Sequence, residues 1–213
     1  MANVSIWAGV AVAIQSALAA SKTITAVTKA SPGAVSSTAH GYSDGDYVLI
    51  TALGMSQVNG RVFRVSGSAT NSFNLEAEDT TLYDTFTSGG AQKITFGTTI
   101  STLTTVNASG GDFDFIDTTT IHDLIKSQIP GQATSSTYTF DSIWDVADAG
   151  LVALKTASDN KAQRCVRFTF ANAQKLVFNG YIGTTLSPTG SAGDKVTTPV
   201  TITAFGRPTV YST

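Results

Sequence analysis

Apolar and polar residues alternate along much of this 213-residue chain, and the alternation stops at turn residues. Residues 47–51 and 61–65 read as two strands on this period of two. Ser43-Asp44-Gly45-Asp46 precedes the first and Asn59-Gly60 the second. Gly adopts positive φ freely and Asn or Asp tolerates it, so both stretches predict turns. Near the start, Ile6, Val10, Val12, Ile14 and Leu18 all fall on even positions, which predicts an opening strand within residues 1–22. The same stretch has the apolar core and small residues of a signal peptide. No Lys or Arg precedes Lys22, however, and the run is too short to span a bilayer.

Further along, the Thr-rich run 99–106 predicts a strand that ends at Gly110-Gly111-Asp112. Residues 113–129 show no sustained period. They read as a long connection with a helical turn around His122-Asp123-Leu124-Ile125, broken by Pro130-Gly131. Alternation returns in 137–144. The period then lengthens, predicting a helix over 145–155 with Asp145 as its cap and Val146, Ala149, Ala153 and Leu154 on one face. Three strands follow: one on Val166, Phe168 and Phe170, one on Leu176, Phe178 and Ile182, and one over 196–205 after a flexible stretch at 187–194. Asn172-Ala173-Gln174 joins the first two as a hairpin, and Pro199 belongs at a strand edge or bulge because it lacks an N–H. The fold class is mainly β: a split β-sandwich or barrel over 1–22 and 96–213 with one short α-helix, plus an inserted small all-β module over 23–95.

Composition sharpens this picture. Only 13% of the residues are charged, against about 25% in an average soluble domain. There are 33 Thr and 22 Ser. Two readings fit: a secreted β-protein kept soluble by hydroxyls, or a subunit whose surface its neighbours cover. The net charge of −2 and the lack of a basic patch argue against binding nucleic acid by neutralising phosphates. Cys165 is the lone cysteine and reads as a small buried hydrophobe. His40 and His122 read as turn or exposed residues without metal-ligand spacing. Glu76-Ala77-Glu78-Asp79 lacks the calcium-loop pattern and reads as a solvated loop. No phosphate loop or nucleophile motif is evident, so no enzymatic activity, cofactor or metal is expected.

Three stretches carry a resemblance. AHGYSDGDYVLIT, the turn from Met55 to Gly60 and RVFRVSGSATNSFNL resemble a β-module found in tail proteins of long-tailed bacteriophages, and also a small domain of ubiquitin-activating enzymes. The ending from Thr201 to Pro208 resembles the closing strand of the major tail tube protein of phages with non-contractile tails. Residues from Ile116-Asp117-Thr118-Thr119 to Ile129-Pro130-Gly131 are similar to that family's loop between two early strands.

The resemblance implies a structural protein of the virion tail, made in the bacterial host cytoplasm. Its copies would form hexameric rings stacked into a hollow tube that conducts DNA during ejection. The implied partners are the chain itself, the tape measure, tail tip and tail terminator proteins, with DNA passing unbound and no membrane. Ile116, Thr119, Ile129, Pro130 and Gly131 would form the inter-ring loop. The acidic run from Asp112 to Asp148 has only Lys126 to balance it. Asp112, Asp114 and Asp117 are therefore candidates for a negative lumen that repels phosphate. Asp also caps turns and helix starts, the plainer role for Asp145 and Asp148. The alternatives are a secreted or surface adhesin or carbohydrate-binding module, and a β-sandwich hydrolase using Asp141 with Asp112.

Overall fold

A computed structural model describes residues 7–212, so Ile6 lies outside the described residues. The elements are β1 (Ala11–Leu18), β2 (Lys22–Ile24), β3 (Ala26–Val27), β4 (Ala34–Ser36), β5 (Tyr47–Leu53), a 3-10 turn (Ser56–Val58), β6 (Val62–Ala69), β7 (Ser72–Leu75) and β8 (Ser88–Ile100). There follow β9 (Leu103–Ser109), β10 (Phe113–Asp117), β11 (Gln128–Ala133), β12 (Thr137–Ile143), α1 (Ala149–Asp159), β13 (Gln163–Thr169), β14 (Lys175–Gly183), β15 (Thr197–Ala204) and β16 (Thr209–Tyr211). The described residues are mainly β with a single α-helix, as the sequence pattern predicts.

One sheet runs in the order β3-β4-β7-β6-β5-β8-β1-β13-β14-β15-β12-β9, with β2 pairing β8 and β16 pairing β14. β8 is the common strand. Its first half pairs β5 and its second half pairs β1. Two cores lie along this sheet. Ile14, Phe140, Leu151, Phe168, Phe178 and Ile202 belong to one, which takes no residue from 23–95. Ile50, Met55, Phe63, Phe73 and Leu75 belong to the other, which lies wholly within 24–91. A smaller cluster of Tyr47, Val62, Ile94, Cys165, Val177 and Tyr211 joins them. Cys165 is buried, and burial pushes its thiol up to about 12, which leaves it inert as a nucleophile at neutral pH.

Several expectations are corrected. The 99–106 run is two strands, because the chain turns at Ser101 and Thr102 between β8 and β9. The helix begins later than expected and Asp148, not Asp145, caps it. The Asp148 carboxylate accepts from the N–H of Leu151 at 2.9 Å and from the Ser101 hydroxyl at 2.7 Å. Asp145 instead closes a local turn by accepting from Ala147 N–H. The buried face is Gly150, Leu151, Leu154 and Ala157, and Val146 lies outside the helix, exposed. A Cβ at Gly150 would come within 2.8 Å of Ile100, so glycine lets the helix close onto β8. Pro199 sits inside a central strand. Its partner on one side is Asp141 of β12, whereas the ladder with β14 has ended at Thr201. The missing N–H therefore breaks no ladder bond.

His40 is buried rather than exposed. Its Nδ1 accepts from Tyr42 N–H, and its Nε2 lies 2.7 Å from the carbonyl of Ala69. Those partners place the proton on Nε2. The 76–79 cluster is no solvated loop either. Glu76 pairs with Arg64, and Glu78 with Arg61, whose side chain is only 7% exposed.

The Asp148 cap carries a prediction. Burial opposes its ionisation, but hydrogen bonds from Ser101, Leu151 and Gly150 outweigh burial and hold its carboxyl below the usual 3.8. A depressed folded pKa stabilises the protein above the unfolded value, and that contribution is lost as pH falls through the folded one. Asp148→Ala should cost about 1–2 kcal/mol at pH 7 in urea denaturation. The gap from wild type should narrow below pH 3.8.

Candidate assembly surfaces

The stretch read as a connection is a β-hairpin arm. Among the described residues, β10 and β11 pair only with each other, through Phe115↔Pro130, Ile116↔Ile129 and Asp117↔Gln128. Pro130 and Gly131 lie inside β11 rather than ending an element. No helix forms at 122–125; Ile121 and His122 occupy a turn held by Asp123, whose carboxylate accepts from Thr120 N–H at 2.8 Å. Every residue from 111 to 130 is exposed. Ile121 and Leu124 at the tip are 96% and 102% exposed. Such apolar exposure is costly for a free chain. At the base, Thr134 N–H donates to Asp112 O at 2.8 Å, and Arg207 lies over the Phe113 ring.

The sequence-predicted site residues all fall on this arm. Ile116 faces Ile129 across the hairpin, Pro130 faces Phe115, Gly131 follows in β11, and Thr119 begins the tip. Asp112, Asp114 and Asp117 line its outgoing leg, all exposed. Hydrogen bonds from the Thr119 hydroxyl and N–H hold the Asp117 carboxyl below the usual range. Asp141 is not brought to Asp112. It sits within β12 opposite Thr105, whose hydroxyl donates to it, whereas Asp112 lies beyond the end of β9 at Ser109. About 13 Å of strand separates the two positions, so they form no acid pair.

Alternation also shows where many threonines go. Thr137, Thr139, Thr201 and Thr203 share a half-exposed face with Thr105 and Asn107, while Tyr138, Phe140, Val200 and Ile202 fill the core behind them. Asp141 is the one charge among these positions. Among the described residues, β9 is an end strand of the sheet beside this face, with no Pro or Lys to blunt its edge. Along it runs an apolar groove lined by Trp7, Val10, Val12, Leu103 and Val106. Sequence reasoning missed this groove, because its walls come from strands far apart in the chain.

Among the described residues, no three His, Cys, Asp or Glu side chains gather as metal ligands would. No helix there is long and apolar enough to cross a membrane. No curated protein matches the chain. A family model does, from the last residue of β5 through to the final residue, covering 53–213. With that match over more than half of its length, the chain belongs to the phage tail tube proteins, structural components of the virion tail.

Proposed function

We propose that copies of this chain join side by side into rings, six to a ring by the family resemblance, and that the rings stack into the hollow conduit for DNA. The free-standing arm carries this reading. Its apolar tip is exposed among the described residues and gains a partner in a stack. Lateral joining uses the β9 edge, where a neighbour's strand would complete the open ladder and cover the adjoining apolar groove. Axial joining uses the arm through Ile116, Thr119, Ile129, Pro130 and Gly131. The hydroxyl-rich surface then suits a protein buried among its copies, and the tape measure, tail tip and terminator proteins would meet the tube inside and at its ends. Negative-stain electron microscopy with light scattering on concentrated protein tests the proposal. Hollow rings or tubes are expected. A chain that stays monomeric, alone and with a tail tip initiator added, would overturn it.

Asp112, Asp114 and Asp117 would give the conduit a negative wall. Coulomb repulsion keeps a polyanion from adhering during transit. Changing Asp112 and Asp114 to Lys, which keeps the Asp117–Thr119 hydrogen bonds, should leave assembly intact and slow DNA release from virions, read by the rate of DNA efflux after receptor triggering. Efflux at the wild-type rate would refute the lumen role.

The 23–95 module would be an insertion beside the conduit-forming domain. The two separate cores support this division, although β8 runs through the 95/96 boundary. Deleting 24–94 with a short flexible link should leave a folded main domain that melts cooperatively. It would melt at lower temperature, because Val177 and Tyr211 lose their partners Tyr47 and Val62. An aggregated product would count against the boundary.

A further inference from the structure

Two apolar surfaces lie at opposite ends of β12. At its start stands the arm, with Ile121, Leu124 and Ile125 at the tip. Beyond its end, Trp144, Val146, Val152 and Leu186 line a groove of about 420 Å³. Val146 is 62% exposed and Val152 is 45% exposed. The Trp144 indole N–H donates to the carbonyl of Leu186 at 2.8 Å, which fixes one wall. Seven strand residues separate the two ends, or about 24 Å.

We propose that the arm tip of one copy seats in the Trp144–Val146–Val152–Leu186 groove of the copy stacked beyond it. This rests on the tube reading above and names the receptor that reading leaves open. A stack that grows in one direction is heterologous: each copy must carry two different, mutually complementary patches at opposite ends. The arm and the groove meet that requirement. The groove lined by Trp7, Val106, Ala108, Tyr138, Phe170 and Leu176 does not. Ala108 and Tyr138 pair beside the arm's own base, so a head-to-tail neighbour presents its arm at the other end. Reach is sufficient, since a leg of about ten extended residues spans roughly 33 Å. Lys155 and Asp159 also line the groove and pair with each other at 2.6 Å, so covering it leaves neither charge without a partner. The arrangement also gives Val146 a role. It lies outside α1 and is 62% exposed.

Cross-linking tests this. Tails assembled from Leu124→Cys/Val146→Cys chains and then mildly oxidised should give a ladder of covalent multimers that reductant collapses. Each single variant should stay monomeric on the same gel, because Cys165 is fully buried. Tubes that form and oxidise without a ladder would overturn the proposal while leaving the tube reading intact. If the thiol variants do not assemble, a charge exchange decides. Leu124→Lys and Val146→Glu should each cut tube yield at least tenfold without changing the monomer's melting curve, and the combination should restore it. Failure to restore overturns the proposal. A wild-type chain that forms no tubes in virions would instead defeat the tube reading itself.

Discussion

Replacing residues 112–133 with two or three glycines should leave a folded monomer that no longer polymerises. The arm contributes almost nothing to the fold. None of its residues from 112 to 130 is buried, and its tie to the body is the base, where Gly111 N–H already donates to Thr134 O at 3.2 Å. A short link can close that gap. Melting should therefore shift by no more than about 2–4 °C, the equivalent of about 1 kcal/mol in a domain of this size. Assembly is a different matter. Burying an Ile or Leu side chain stabilises by about 1.5–3 kcal/mol, so Ile121, Leu124 and Ile125 together offer roughly 5–9 kcal/mol per arm. Even the lower figure is more than a thousandfold in association. Electron microscopy and sedimentation on the same preparation read the outcome. Tubes of normal length from the deleted chain would remove the arm from axial contact.

The arm also shows where reading a sequence by its pattern stops working. Alternation reports which face of an element is buried within its own chain. It located β5, β6, β12, β13, β14 and β15, because each has a core side and a wet side. In β12 the Tyr138, Phe140 and Ser142 positions are buried and their neighbours are half-exposed. The β10–β11 arm has no buried side in the single chain, so its apolar residues follow no inward period, and it reads as a connection. Helix capping failed for another reason. Asp145 and Asp148 both precede an apolar run, and local chemistry suits either. The choice is made by Ser101, 47 residues upstream. The burial of His40 is hidden from sequence in the same way, since the carbonyls that hold it belong to Ala69 and Ser72. Short-range patterns carry strands and turns; partners far along the chain, or on another chain, are invisible to them.

Glu78→Ala should be among the most destabilising single changes in the protein, at roughly 3–5 kcal/mol. Arg61 and Glu78 form a two-pronged pair in which the second contact, Nη2 to Oε2, is 3.1 Å. The side chains are 7% and 13% exposed. Arg61 also donates through Nε to the carbonyl of Arg207 at 3.1 Å and through Nη1 to that of Gln57 at 3.0 Å, and its guanidinium lies 4.7 Å over the Phe63 ring. One side chain thus ties the module to the segment that follows the closing strand β15. Removing the carboxylate leaves a guanidinium in a site closed to water, with two neutral carbonyls in place of a counter-charge. The Tyr83 hydroxyl loses its acceptor at the same time. Removing both charges is different, because no unpaired ion remains. Arg61→Met combined with Glu78→Leu should recover most of the stability that Glu78→Ala loses, minus the contact to Arg207. Urea denaturation of Glu78→Ala, Arg61→Met and the double variant completes the comparison. A double variant as unstable as Glu78→Ala would mean that the joint depends on the hydrogen bonds of Arg61, and not on balancing its charge.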